Sequence, residues 1–299
     1  MNTEKNLPIE VFIFSYNRKD YLGDAIRSIL SQTYQPLRLI VSDNSPAGNE
    51  TVSDFVKKEF PFVELRRRSL SMYDHFNSVL AEMSAPYIML FHDDDILEPS
   101  YVADRISELE VTGADAACAN GYFLIDGKKT KRLVNPWLKE DLLISNAKDL
   151  AINFLDYSRG VNAFPGYVYR RKAIADLKFN FADGGQYSDV PFILRVALNG
   201  KIFWSAKPAM YLRKHVGNFS ENISFKAVKR LTRFIVKQRI YSNNAPELKL
   251  FRYWSHFFSI RSRKRRGLHV NKSQVLLTFF YFSTHPFSFI RKMKRKFVG

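Results

Sequence analysis

The strongest constraint on the fold is an alternation along the first 111 residues, in which short apolar runs end in polar turns and are followed by segments of helical spacing. Ile9 to Ser15 is β-branched or aromatic through its middle (Val11, Phe12, Ile13, Phe14) and ends in the turn Ser15-Tyr16-Asn17-Arg18. Such a run reads as a strand buried on both faces. Asp20 is placed to cap the next helix, in which Leu22, Ile26, Ile29 and Leu30 share a face, and Pro36 closes the unit. The pattern then gives a strand from Leu37 to Val41 ending in Ser42-Asp43-Asn44-Ser45-Pro46, and a helix through Val52, Phe55 and Val56. A strand at Val63 to Leu65, a helix over about 73–83, a strand from Tyr87 to Phe91 and a helix over about 101–111 complete it. Alternation of this kind predicts a mostly parallel sheet covered by helices. With 299 residues, 46% of them hydrophobic, the chain can bury a sizeable core, which excludes a disordered tail or a disulfide-stapled miniprotein. Its one cysteine, Cys118, excludes an internal disulfide and suits a reducing compartment. Residues 1–5 lack the basic and apolar regions of a signal peptide, so export is not expected.

In parallel sheets ligands bind where strand ends meet helix N-termini. Three strands here end in polar turns, at 15–18, 42–45 and 92–95, which places all three on one edge. No GxGxxG or GxxxxGK[ST] follows any of them, so a diphosphate there needs something other than a glycine-rich cradle. Asp93, Asp94 and Asp95 directly follow the apolar run Tyr87 to Phe91. Three adjacent carboxylates repel, and oxygen ligands select a hard divalent ion such as Mg²⁺ or Mn²⁺, which suits a metal-bound diphosphate. The alternative is a solvated turn that caps the next helix. Asp189 lies after Asp183-Gly184-Gly185-Gln186 and opens a helical segment through Val190, Ile193, Leu194 and Ala197. It could be a carboxylate base for a hydroxyl nucleophile or a plain helix cap.

Several of these pieces together resemble the family 2 glycosyltransferases, inverting enzymes of the GT-A fold that use nucleotide-sugars. They are Phe14 to Arg18, Ser28-Ile29-Leu30-Ser31-Gln32-Thr33-Tyr34, Ser42 to Ser45, and Phe91-His92-Asp93-Asp94-Asp95 in place of the family's DXD. Gly166 to Arg171, Tyr187 to Phe192 followed by Arg195, and Gly200-Lys201-Ile202 are similar to its acceptor half. The resemblance covers roughly residues 8–215. It implies an α/β GT-A domain over 1–224, with a nucleotide-sugar half at about 8–115 and an acceptor half at 116–224. It also implies that Ser15, Tyr16, Asn17 and Asp43 contact the nucleotide base, that Asp93 and Asp94 face the ribose or diphosphate, that Asp95 binds Mn²⁺ or Mg²⁺, and that Asp189 is the catalytic base. A UDP-sugar is the expected donor on family grounds. Where many relatives carry a Gly- and Asn-rich segment, this chain has Arg66-Arg67-Arg68-Ser69-Leu70-Ser71-Met72. Arg68 is taken as the donor contact, with Arg66 and Arg67 left open, and so is the reading of all three as a solvated edge. His215 falls in a polar segment placed to close over the diphosphate, as a further metal or phosphate contact or as an ordinary surface histidine.

Charge completes the reading. The chain carries 46 Lys and Arg against 29 Asp and Glu, a net of +17. Residues 225–299 hold 19 of the basic residues and one acid, Glu247, for a net of +18, leaving −1 on residues 1–224. Val228, Leu231, Phe234 and Ile235 share a helical face flanked by Lys229, Arg230, Arg233 and Lys237. Beyond them come Phe251, Tyr253, Trp254, Phe257 and Phe258, and then the basic runs 261–266 and 291–296. This pattern fits a basic amphipathic extension resting on an anionic membrane, with the aromatics at the headgroup boundary. The stretch 275–290 is too short and too interrupted to span a bilayer. The expectation is an enzyme at the inner face of the cell membrane, acting on a lipid-linked or oligosaccharide acceptor, with no nucleic acid as partner. The competing reading is a nucleotide- or nucleic-acid-binding protein without transferase chemistry, since interleaved aromatics and cations also suit single strands.

Overall fold

A computed structural model describes residues 7–214 and 224–265. The elements in chain order are β1 (Ile9–Ser15), α1 (Leu22–Leu30), β2 (Leu37–Asp43), α2 (Thr51–Glu59), β3 (Glu64–Arg67), α3 (Met72–Glu82), β4 (Tyr87–His92), β5 (Ile96–Leu97) and α4 (Tyr101–Thr112). They continue as β6 (Ala116–Ile125), β7 (Lys128–Leu133), β8 (Leu142–Ile144), α5 (Ala147–Leu155), β9 (Val168–Arg170), α6 (Arg171–Ile174), α7 (Phe181–Gly184), α8 (Asp189–Asn199), β10 (Ile202–Lys214), α9 (Phe225–Lys237) and α10 (Pro246–Arg265). The chain forms two compact units, one of residues 1–146, 162–179 and 195–216, the other of 147–161, 180–194 and 217–299.

The first unit holds the sheet, in the order β3-β2-β1-β4-β9-β6-β10-β5, with β7 on β6 and β8 on β10. β3, β2, β1 and β4 run parallel, as the alternation predicts. β9 then pairs antiparallel with both β4 and β6, a reversal with no local sequence signature. β1 is buried along its whole length because both faces are covered. Ile9, Val11 and Ile13 join Val41, Met89 and Phe91 in a core with Leu22 and Ile26 of α1, Val52 and Val56 of α2, and Val102 and Ile106 of α4. The alternate residues point to the opposite face. There Phe14 meets His75 and Phe76 of α3, with ring centroids 5.0 and 4.1 Å apart. Fully burying each such Leu, Ile or Phe contributes about 1.5–3 kcal/mol. At the outer edge β3 is only partly buried and carries Glu64, Arg66 and Arg67, charges that discourage pairing with a further strand.

One local expectation fails. Asp20 does not cap α1; Tyr21 occupies the N-cap and no side chain bonds the free amides.

The described part of the second unit is largely helical. Its core is aromatic: Phe251 of α10 packs against Phe154 of α5 and stacks on Tyr157, whose hydroxyl lies 2.6 Å from Ser255 Oγ. Phe251, Tyr253 and Trp254 are each less than 10% exposed. This corrects the headgroup-boundary expectation for these three rings, which are spent on the unit's own interior, while Phe257 and Phe258 are half-buried. Residues 225–265 belong to a unit that also includes 147–161 and 180–194. Among the described residues no helix is long and apolar enough to cross a membrane. The second basic run and the stretch 275–290 lie outside the described residues, as does His215.

Candidate active site at the carboxyl edge of the sheet

The three polar turns are adjacent because their strands are in register. Ser15 pairs with Asp43 across β1 and β2, and Phe14 with His92 across β1 and β4. The Asn44 amide donates to the Ser15 carbonyl at 2.9 Å and the Asn17 amide to Ser45 Oγ at 2.9 Å, which ties the first two turns together. Asn17 adopts a left-handed backbone (φ 53), tolerated by Asn better than by most residues, and leaves Tyr16 59% exposed beside the site.

Asp43 is fully buried. Its Oδ1 accepts from the Ser45 amide and hydroxyl at 2.9 and 2.5 Å. Its Oδ2 accepts no hydrogen bond among the described residues, and the nearest cation is Arg67 Nε at 3.6 Å. Arg67 is therefore the arginine that meets Asp43. It also pairs with Glu50 and donates to the Asn49 and Pro46 carbonyls, closing the loop after β2. The Arg68 side chain lies elsewhere, donating to Ser42 Oγ at 3.1 Å and pairing with Glu82, while Arg66 pairs with Glu64 and Glu82. None of the three is a loose surface arginine. Because Ser42 Oγ accepts from Arg68, its proton is available to His75 Nε2, 2.7 Å away. Burial, with Arg68 nearby, pushes the His75 imidazole down to about 4, so it stays neutral and accepts that proton.

The acidic turn between β4 and β5 forms the second half of the site. Asp93 is 2% exposed and accepts from Ser15 Oγ at 3.0 Å and from Arg18, which also lies 3.1 Å from Asp94. Burial, opposed by Arg18 and reinforced by the Asp94 charge, raises the Asp93 carboxyl above its usual range. Asp95 is also buried and accepts the Arg213 backbone amide at 3.0 Å. Burial and then the neighbouring Asp94 push it well above the ordinary carboxylate value. β5 pairs with β10 at Ile96 and Leu97, and this brings Arg213 over the turn. Its guanidinium donates to the Asp94 carbonyl and to Asp24, each at 2.9 Å, and covers the Tyr21 ring.

His92, Asp94 and Asp95 can each point one donor atom into a space where all three lie within 4.8 Å of one another. One imidazole nitrogen and two carboxylate oxygens form a set that could hold a divalent cation. Burial lowers the His92 pKa, against the pull of Asp94 and Asp93, so the ring is in the neutral form that can ligate. The sequence offered Asp95 but not His92 as a ligand, although His92 stands in the same string. Arg18 is likewise in the quoted turn. Arg213 has no local signal at all, because its role depends on β10 pairing with β5.

Asp189 belongs to the second unit, where it opens α8. Burial pushes its carboxyl up to about 6, against the backbone amides of Val190 and its own residue.

With this geometry in place, comparison with known proteins gives one consistent result. The model of glycosyl transferase family 2 matches residues 10–178, more than half of the chain. The chain belongs to glycosyl transferase family 2. That family is one of transferases. This family 2 glycosyltransferase is 26% identical over 116 residues to glycosyltransferase GlyA of Streptococcus pneumoniae, covering 38% of this chain and 17% of that one. It is 28% identical over 126 residues to an uncharacterised glycosyltransferase of Haemophilus influenzae, covering 40% and 38% of the two chains. The matches thus span well under half of these relatives' own lengths. In fold, it is similar to residues 1–349 of TarS from S. aureus, with a TM-score of 0.63, 16% identity, and 92% and 80% of the two chains covered. A structure of that protein holds UDP-GlcNAc. It is also similar to the mannosyltransferase PcManGT of Pyrobaculum calidifontis in complex with GDP-Man and Mn²⁺, with a TM-score of 0.54, 13% identity, and 98% and 84% covered. The GT-A fold expected from the sequence is the fold observed.

Proposed function

We propose that the enzyme moves a sugar from a nucleoside-diphosphate sugar, a UDP-sugar by preference, to a hydroxyl of a lipid-linked or surface glycan, with inversion at the anomeric carbon. The observation that carries this is the convergence of His92, Asp94 and Asp95 on one space at the strand ends, beside the buried Asp43. Asp43 Oδ2 is the acceptor for a base N–H, Oδ1 being held by its own turn. Ser15, Tyr16 and Asn17 line the same edge, and the exposed Tyr16 ring offers a stacking face. Arg67 screens Asp43, and Arg68 positions this corner through Ser42 and His75. His92, Asp94 and Asp95 would hold a divalent cation, Mn²⁺ or Mg²⁺, which when bound supplies Lewis-acid stabilisation of the departing diphosphate. Asp93, braced by Ser15 and Arg18, faces the ribose or diphosphate.

Asp189 is the general base for the acceptor hydroxyl. A carboxyl near 6 is ionised at pH 7 yet more basic than an ordinary aspartate, which favours proton removal. Location at the inner face of the cell membrane is supported by the net charge of +18 on residues 225–299 and the exposed cations of α9. A thermal-shift panel of UDP, dTDP, GDP and CDP, with and without Mn²⁺, tests the donor half. One nucleotide should raise Tm, more so with metal, since a ligand stabilises only the state that binds it. No shift with any of the four would overturn the proposal.

A further inference from the structure

α9 and α10 flank an open cavity of about 520 Å³ within the second unit. On α9 the lining residues Phe225, Val228, Lys229, Thr232, Arg233 and Val236 recur three or four apart, so a single helix face forms one wall. α10 supplies Arg252 and His256, one turn apart, to the other wall. The lining thus holds three cations and no carboxylate. Asn243 fixes the Arg252 guanidinium, accepting from it with its side-chain and main-chain oxygens at 2.9 and 3.4 Å. The His256 ring stacks on Phe225 at 4.4 Å, and burial with Arg252 beside it pushes the imidazole down to about 4, so it adds no charge at pH 7. Like charges around a concavity with low-dielectric walls focus a positive potential into it. Phe225, Val228 and Val236 make an apolar part of the wall, beside Thr232 and Asn243. A purely ionic ligand would leave that part unused, and a purely apolar one would leave the cations facing each other.

We propose that this cavity binds a phosphate ester carried on an apolar chain, with the phosphate among Lys229, Arg233 and Arg252 and the start of the chain against Phe225 and Val236. The inference rests on the membrane reading above for its source of ligand and deepens it, because a diffuse basic surface would attract a leaflet without any defined seat. Bulk phospholipid and a lipid-linked carrier both present this chemistry.

The test titrates the full chain by calorimetry with dihexanoyl phosphatidic acid, geranyl phosphate and inorganic phosphate. Both esters should bind saturably, at least about tenfold tighter than inorganic phosphate. The double variant Lys229→Gln/Arg233→Gln should weaken ester binding about tenfold or more. The control Lys226→Gln/Lys237→Gln removes the same charge from exposed positions of the same helix outside the cavity, and should stay within about twofold. Preference for geranyl phosphate assigns the seat to a lipid-linked carrier, and preference for the diacyl ester to bulk phospholipid. Equal weakening by both double variants, or no saturable binding by the wild type, overturns the cavity. Flotation with phosphatidylcholine vesicles containing phosphatidic acid separates the two readings. Wild-type flotation without saturable ester binding leaves the membrane reading standing and removes the cavity, and the reverse result does the opposite.

Discussion

The carboxyl edge of the sheet and the face of α9 hold charge in opposite ways. At the edge the acids are matched one by one: the buried Asp93 by Ser15 and Arg18, the buried Asp95 by the Arg213 amide, and the partly exposed Asp24 and Glu82 by the guanidinium of Arg213 and by Arg66 and Arg68. In α9 the cations Lys226, Lys229, Arg233 and Lys237 are exposed, on a segment of 75 residues with a single acid. Matched buried charge fixes atoms in place, since removing one partner strands the other in a low dielectric. Surplus exposed charge fixes little, but it acts over about 8–10 Å and attracts any polyanion. The same side-chain types therefore give shape in one region and affinity in the other.

Single substitutions at the edge should therefore have large, specific effects, while the cations of α9 outside its cavity, Lys226 and Lys237, respond in small, additive steps. Asp95→Ala should lower transfer about a thousandfold and abolish the Mn²⁺-dependent part of the nucleotide thermal shift. Retention of that metal-dependent shift would take Asp95 out of the cation site. Asp189→Asn should lower kcat about a hundredfold or more, and the wild-type rate should fall as pH drops through about 6, where the base becomes protonated. The sign of its stability effect is also set. The raised pKa means that the native state holds this proton more tightly than the unfolded chain does, so the ionised carboxylate destabilises above about 6 and costs nothing below its unfolded value. Asp189→Asn should therefore melt no lower than the wild type at pH 7.5, with the difference closing below about pH 4. A lower melting point at pH 7.5 would instead mark Asp189 as a structural cap.

Asp43→Asn should raise KM for the donor roughly tenfold with kcat little changed, because a charge-assisted hydrogen bond to the base is weakened in ground and transition states alike. The smallest effect is expected from salt. Raising NaCl from about 50 to 300 mM should loosen vesicle binding while changing KM for the soluble donor by less than about twofold. A steep salt dependence of donor KM would mean that the edge is held by unscreened surface charge after all.

Most of the fold of residues 8–111 was legible because strands buried on both faces leave an unmistakable apolar run. β1 is observed over the same residues as predicted, and β2 and β4 differ only in extending one or two residues into the polar turns. Ser42 and Asp43 read as turn because they are polar, yet they complete the ladder with β3. The Asp20 cap was a reasonable local inference, but Tyr21 sits at the helix start instead. The arginine run shows the limit more sharply. Three consecutive arginines are equivalent in sequence, and they part company only because alternate strand residues face opposite sides, sending Arg67 to Asp43 and Arg66 and Arg68 to Glu82. Phe251, Tyr253 and Trp254 of α10 were misread for a related reason, since a cluster of rings beside cations looks alike whether it meets lipid or another helix.

The sequence alone determined the layered α/β class, the edge on which chemistry would be found, the family, and the segregation of charge into the last quarter of the chain. These follow from local periodicity, from residues adjacent in the chain and from composition. Tertiary structure decided that Arg67 is the arginine that meets Asp43, that Arg213 arrives from a strand 118 residues after Asp95, and that α9 and α10 flank a basic cavity. These depend on strand register and helix packing between distant segments, and hydrophobic burial selects such pairings only once the whole chain has collapsed.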